Sequence, residues 1–375
     1  MVFIFWQGII SIHQKTFLEA LSREPSVQKV ILVVEKDITP YRKDMGWEVP
    51  TLENVAVVLA PSKDQIISIV RENTDAVHVM GGIRSGRVIS EAFDACVKYH
   101  CRLGIMTEPF NDAGLKGWLR AVKYRAYKLF YFRHIQFVLA IGKQGMLQYE
   151  NLGYDTRRLF PWGYFISLNT EPIENERSRD GAIRIIYAGR LEAAKGIYRF
   201  TQELVRTSHQ NYLLDIYGEG IDEGKLRNLV AEAGVAERIG FFPFLPHEEL
   251  LKRYKNYDWV VLPSAGKDGW GVIVSEGLLY GLRAICSSIC GVSGVITNGV
   301  NGLVFHWAEN GSCRNAIAAM LENKNFEDSE TISRWARRTI SGAAGAKYFI
   351  EIMNCVYNHN ARPEAPWRRA VVNGS

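Results

Sequence analysis

The chain has 375 residues, 47% of them hydrophobic and 23% charged, with a formal net charge of +5. This composition excludes a disordered or fibrous polymer, and the length exceeds what one hydrophobic core ordinarily serves, so two domains are expected. The excess charge lies in one half: residues 1–168 hold 21 Lys/Arg against 16 Asp/Glu and the remainder holds 24 of each, a balance that argues against a nucleic-acid partner.

The six cysteines (Cys96, Cys101, Cys286, Cys290, Cys313 and Cys355) form no CxxC pair and have no His at ligand spacing. They read as small buried apolar residues kept reduced, and the protein is expected to be cytoplasmic. The opening MVFIFWQGII lacks a basic n-region and a cleavage pattern, and no apolar run approaches the ~20 residues of a bilayer span, so neither a signal peptide nor a membrane span is expected.

In chain order, residues 2–6 form an apolar strand ending at Gly8, and 12–23 carry apolar residues at helical spacing. Strands follow at 30–34 and 55–59, a helix at 64–72, a strand at 76–80 before Gly81 and Gly82, a helix at 86–99, and a strand at 103–106 before Thr107, Glu108 and Pro109. A long basic segment separates these from a strand at 137–141. Residues 160–181 are polar and turn-rich, and read as a linker. Strands at 183–188, 212–217, 239–241, 259–262 and 284–286 then alternate with helices at 196–207, 224–233 and 247–254 and one opening at Val272; a helix at 344–357 closes the pattern, and 361–375 read as a mobile tail. Such alternation implies parallel sheets covered on both faces, with ligands received beyond the carboxyl ends of the strands. The fold class is α/β, with two doubly wound Rossmann-like domains at 1–168 and 175–343.

The chemistry concentrates in residues 263–305. Asp268 and Glu276 stand eight positions apart, with Gly269 and Gly271 between them and a helix opening at Val272. Free helix-start amides and glycines that admit close backbone approach suit a phosphate, while two carboxylates suit vicinal hydroxyls. A nucleotide sugar offers both groups. Earlier, YAGRLEAAKG ends a strand at Gly189 and presents Arg190 and Lys195, a planar fork and a mobile point charge for a diphosphate.

These two elements resemble the GR-x4-KG and acidic-x7-acidic signatures of family 4 retaining glycosyltransferases, and the chain is similar to that family over some 40 residues down to GVNGLVF. The resemblance implies a GT-B fold, two domains facing across a cleft, with the closing helix 344–357 joined to the first domain. It implies transfer of a hexosyl group from a nucleoside-diphosphate sugar with retention. Arg190 and Lys195 would hold the diphosphate, Asp268 the donor sugar and Glu276 the ribose, with backbone contacts from Gly269, Gly271 and Val272. Gly8 and Gly218 would border the donor, and Leu245, with Phe244, would lie near the base. Asp268 replaces the family's usual Glu and is one methylene shorter. Where many members place a His, this chain has Glu108, a carboxylate suited to an acceptor hydroxyl or to the positive charge of an oxocarbenium-like transition state. His13, His78, Gly81 and Gly82 are weaker candidates. No DxD motif is present at a strand end, so no cofactor and no essential metal are expected.

Residues 115–134, LKGWLRAVKYRAYKLFYFRH, interleave six Lys/Arg with aromatics and contain no acid. On a helix, Leu115, Trp118, Leu119, Val122, Ala126 and Leu129 form one stripe expected to pack on the sheet, leaving Lys116, Arg120, Lys123 and Lys128 with the tyrosines to face an anionic membrane. The functional expectation is therefore a transferase peripheral on the inner face of the plasma membrane, acting on a lipid-linked glycan in surface polysaccharide synthesis. The alternatives are a nucleotide-sugar epimerase or a non-catalytic nucleotide-sugar-binding protein.

Overall fold

The structure, a computed structural model, describes residues 1–37, 49–167, 181–266, 268–323 and 325–369. It divides into two units, Met1–Ser167 with Arg338–Arg369, and the intervening chain as far as Arg337.

The first unit is built on seven parallel strands: β1 (Val2–Ile9), β2 (Lys29–Lys36), β3 (Ala56–Leu59), β4 (Val77–Met80), β5 (Arg102–Thr107), β6 (Phe137–Ile141) and β7 (Leu159–Trp162), in the order β3-β2-β1-β4-β5-β6-β7. Their apolar runs, such as Phe3–Trp6 and Val30–Val34, are buried throughout because helices cover both faces. Helices α1 (Ile12–Ser22), α2 (Lys63–Glu72), α3 (Arg87–Lys98), α4 (Gly114–Tyr131) and α5 (Gly142–Asn151) supply those layers. In β5 a side chain at Gly104 would stand 2.1 Å from the Phe137 ring, so the glycine makes room for its neighbour on β6.

β7 lies within the stretch expected to be a linker. Its Pro161 lacks a ladder donor and is accommodated because β7 is an edge strand; residues 168–180 of that stretch lie outside the described residues. Strand β1 runs on to Ile9, so Gly8 sits within it, exposed, rather than in a turn after it.

The second unit has six parallel strands: β8 (Ile183–Ala188), β9 (Tyr212–Tyr217), β10 (Ile239–Phe242), β11 (Trp259–Leu262), β12 (Arg283–Ser287) and β13 (Gly302–Phe305), ordered β10-β9-β8-β11-β12-β13. Around them stand α6 (Ile197–Leu204), α7 (Glu223–Glu232), α8 (His247–Arg253), α9 (Val272–Leu279), α10 (Ser312–Glu322) and α11 (Ser329–Thr339). The last two were not anticipated.

Helix α12 (Gly342–Asn358) belongs to the first unit, which the chain re-enters at Arg338. Its Phe349 ring centroid lies 5.1 Å from Phe3, 5.9 Å from Phe5 and 5.8 Å from Phe17, and a side chain at Gly342 would meet the Thr16 carbonyl oxygen at 2.5 Å. The expected mobile tail is packed as far as Arg369: Arg362 donates to the Thr156 and Arg157 carbonyls at 3.0 Å, and Trp367, on the short helix α13 (Pro366–Arg369), stands 5.8 Å from Phe165. Residues 370–375 lie outside the described residues.

Candidate functional site

The candidate site lies at the carboxyl ends of β8, β9, β11 and β12 in the second unit. After β8, Tyr187 is buried with its hydroxyl donating to the Arg190 carbonyl at 2.8 Å, which fixes the turn. A 3₁₀ turn, Ala193–Lys195, then ends at Gly196 with φ of +68°. A side chain there would stand 2.0 Å from the Pro263 carbonyl oxygen, so only glycine admits the loop after β11, whose Ala265 and Gly266 amides donate to the Ala194 carbonyl at 2.9 and 2.8 Å. This contact between loops brings Lys195 to Asp268. The Lys195 Nζ lies 2.7 Å from Asp268 Oδ2, and Ser264 Oγ donates to the same oxygen at 3.0 Å. Both charged side chains are mostly buried yet retain access to solvent.

Arg190 is exposed and turns onto Glu192, with its guanidinium 3.1 Å from that carboxylate. Side chains at Gly218 and Gly220 would stand 2.0 Å from the Gly189 carbonyl oxygen and 2.2 Å from that of Leu191. The two glycines let the loops after β8 and β9 lie in contact. Gly271, at φ of +105°, caps α9 and packs against Leu262, while the Asp268 carbonyl accepts from the Gly291 amide at 3.0 Å and the Trp270 carbonyl from the Val292 amide at 2.8 Å. Trp270 is buried, its Nε1 donating to Ser275 Oγ at 2.9 Å. The α9 amino terminus is thereby held beside Asp268. Gly269 and Val272 are half-buried along this loop, and Leu245 is half-buried after β10 beside the exposed Phe244.

Glu276, on the second turn of α9, is 4% exposed. Its Oε1 lies 2.7 Å from His247 Nε2 and its Oε2 accepts from the Tyr254 hydroxyl at 3.0 Å. Burial opposes the charged imidazolium, but the Glu276 hydrogen bond and charge, with Glu248, outweigh it and raise the His247 pKa. Burial, with the Glu276 charge and hydrogen bond, raises that of Tyr254 well above the usual phenol. Sequence reasoning missed His247, Tyr254 and Ser264. His247 opens α8 and Tyr254 follows its last residue, seven positions on, a spacing that places both on one side of the segment.

Glu108, after β5 in the first unit, is exposed and accepts from the Tyr164 hydroxyl at 2.5 Å; the Tyr164 ring lies 5.7 Å from that of His13. The fold also gathers donors that spacing concealed. Among the described residues, His78, Cys96 and Cys101 place ligand atoms within 4.8 Å of one another. Both ring nitrogens are engaged: Trp6 Nε1 donates to His78 Nδ1 at 3.1 Å and His78 Nε2 donates to the Asn73 carbonyl at 3.0 Å. A metal on His78 would break one of these bonds.

The orientation expected of the basic helix is reversed. On α4, Tyr124, Tyr127 and Tyr131 pack against the core, with Phe110 and Tyr124 stacked at 4.5 Å and Arg84 donating to the Tyr131 hydroxyl at 3.1 Å. Their rings pack on the core while the Tyr131 hydroxyl reaches the guanidinium at its margin. The aliphatic stripe faces outward instead: Leu115 is 74% exposed, Trp118 58%, Leu119 53%, Val122 41% and Leu129 76%. Lys116 and Arg120 are exposed, Arg120 donating to the Asn111 carbonyl at 2.8 Å; Lys123 is exposed with its Nζ 5.2 Å from the Tyr127 ring centroid, and Lys128 is half-buried. Among the described residues no helix is long and apolar enough to cross a membrane.

Comparison with known proteins bears on this site directly, since residues 169–339 match the profile of the family described as glycosyl transferases group 1. The second half of the chain is therefore similar to a group 1 glycosyl transferase domain. An uncharacterized glycosyltransferase of Methanocaldococcus jannaschii is 30% identical over 148 residues, 38% of this chain and 38% of that protein. The chain spans under two fifths of the length of the first curated relatives it matches, 38% and 36%. Among solved structures, the lipopolysaccharide outer core galactosyltransferase WaaB superposes with a TM-score of 0.68 at 16% identity, covering 96% of this chain and 100% of that one. Anabaena HepE in complex with UDP gives 0.69 at 13% identity, covering 94% and 100%. Both units thus have the Rossmann-like architecture of the GT-B fold, and the Lys195–Asp268 pair and Glu276 lie within the residues that match the group 1 profile.

Proposed function

We propose that the chain is a retaining glycosyltransferase that moves a sugar from a nucleoside-diphosphate sugar to an acceptor hydroxyl. The observation that carries this reading is the Lys195–Asp268 pair, 2.7 Å apart at strand ends within the residues that match the group 1 profile; a bound UDP in the HepE neighbour supports a nucleoside diphosphate as the ligand. In the proposed reaction the bond between the anomeric carbon and the diphosphate oxygen breaks. The acceptor oxygen bonds to the same face of that carbon, and its proton passes to the departing phosphate. Lys195 and Arg190 neutralise the leaving diphosphate together with amides of the α9 start. Asp268 accepts from sugar hydroxyls and Glu276 from the ribose. Glu108 receives the acceptor or offsets positive charge at the reacting carbon. The leaving charge is met without a metal, and transfer is expected to persist in EDTA.

The acceptor we propose is a lipid-linked glycan of surface polysaccharide synthesis, reached at the inner face of the plasma membrane. The outward stripe of α4 supports this. With 100° per residue, Lys116 and Lys123 flank one side of the stripe and Arg125 the other, the pattern of a helix lying in an anionic interface.

The test is thermal stabilisation of the purified protein by UDP, GDP and ADP, followed by turnover of the matching nucleotide sugars with and without acceptors. Transfer with retained configuration is the expected result. Conversion of donor to an epimer without acceptor would replace this reading by an epimerase, and nucleotide binding with no turnover on any acceptor would leave a sensor.

A further inference from the structure

Resting on the transferase reading of the same site, we propose that His247 determines specificity for a ribonucleotide donor by positioning the Glu276 carboxylate against the paired hydroxyls of the ribose. A carboxylate confined to a protein interior is costly unless its oxygens are bonded, and it offers about four acceptor positions. Tyr254 takes one position on Oε2 at 3.0 Å and His247 one on Oε1 at 2.7 Å. Opposed donors on the two oxygens fix the rotation of the carboxylate plane and with it the directions from which the carboxylate accepts.

The three partners differ in access. Tyr254 is fully buried, and the Glu276 side chain is 6% exposed against 37% for His247. A ligand arriving from solvent therefore meets the imidazole before the carboxylate. Helix α8 carries His247 at its first position and Tyr254 follows its last, so one short segment sets both donors. Without His247, the buried Oε1 loses its solvent-side partner, and the carboxylate rotates or admits water in place of a hydroxyl.

The experiment measures affinity for UDP, ADP and GDP, each beside its 2′-deoxy counterpart, in the native protein and in the His247→Ala and His247→Gln variants. The native protein is expected to prefer the ribose form of the nucleotide it binds by about tenfold, the scale of one hydrogen bond to a charged group. His247→Ala should erase most of that preference, and His247→Gln, which retains a donor nitrogen of similar reach, should restore it. Melting temperatures without ligand separate this from loss of fold. A native preference kept in His247→Ala, or equal weakening of ribose and deoxyribose forms, overturns the assignment while leaving the transferase reading intact. Absence of nucleotide binding by the native protein overturns both.

Discussion

The two units share an architecture and differ in what they do with their strand ends. In the second, polar side chains from separate loops and helices are locked onto one another: Lys195 and Ser264 on Asp268, His247 and Tyr254 on Glu276. Glycines at 196, 218 and 220 let those loops touch. The first unit's group is looser, an exposed Glu108 held by Tyr164, and its helix α4 carries Lys116, Arg120, Lys123 and Arg125 beside an outward apolar stripe. A phosphate and a diol of fixed geometry reward preorganised partners, because donors already in place cost no rearrangement at the moment of reaction. A long or lipid-attached acceptor rewards an open surface instead.

Removing the central cation of the locked cluster should have the largest effect. Lys195→Ala is expected to lower kcat by ~10²-fold or more, the scale seen when one stabiliser of leaving-group charge is deleted. The native melting temperature should fall only slightly. Steady-state kinetics with saturating donor checks this, and near-native turnover would dissolve the contrast between the units.

The looser unit makes the next prediction. Protein should co-sediment with vesicles containing anionic lipid and not with neutral ones, and the bound fraction should fall with salt. Each cation near such a surface contributes ~1 kcal/mol. Replacing Lys116, Lys123 and Arg125 by Glu should therefore weaken partition by about 10²-fold, and Leu115→Ser with Leu119→Ser should weaken binding to the same vesicles at low salt. Loss with the charge reversals alone would mean electrostatic tethering with the stripe left in water.

Glu108→Gln tests the smaller group. It preserves shape and a hydrogen bond to Tyr164 while removing the charge, and is expected to lower kcat about tenfold with little change in donor KM. An unchanged rate would make Glu108 a structural partner of Tyr164.

How legible these features were depends on whether a local pattern specifies them. Buried strands such as 259–262 announce themselves by apolar runs between turns, and Lys195, Asp268 and Glu276 by spacing against glycines. Contacts made by tertiary folding left weaker marks. The facing of α4 was misread because its leucines outrank tyrosines in apolarity, whereas Tyr124, Tyr127 and Tyr131 find ring contacts in the core and Tyr131 a hydroxyl partner in Arg84. Strand β7 was hidden by Pro161, which an edge position tolerates. The His78, Cys96 and Cys101 group joins a strand, a helix end and a strand start that no spacing rule connects.

The smallest effect expected is the part of the pH dependence of stability that His247 contributes. His247 has a folded pKa raised above its unfolded value of ~6.5, since Glu276 and Glu248 favour the imidazolium more than burial opposes it. A raised pKa means that the folded state binds the proton more tightly. The contribution is therefore complete below the unfolded value and is lost as pH rises through the folded one. The side chain is 37% exposed, so solvent screening keeps the effect modest. Denaturant melts of the native protein and of His247→Gln at closely spaced pH values from 5.5 to 8.5, chosen around that ~6.5 reference, isolate it. The native protein should lose stability relative to the variant as pH increases across this window, with the difference levelling once the imidazole is neutral in both states. Parallel curves would show that the proton is not shared with Glu276, and a difference that grows toward low pH in the variant's favour would reverse the sign of the coupling.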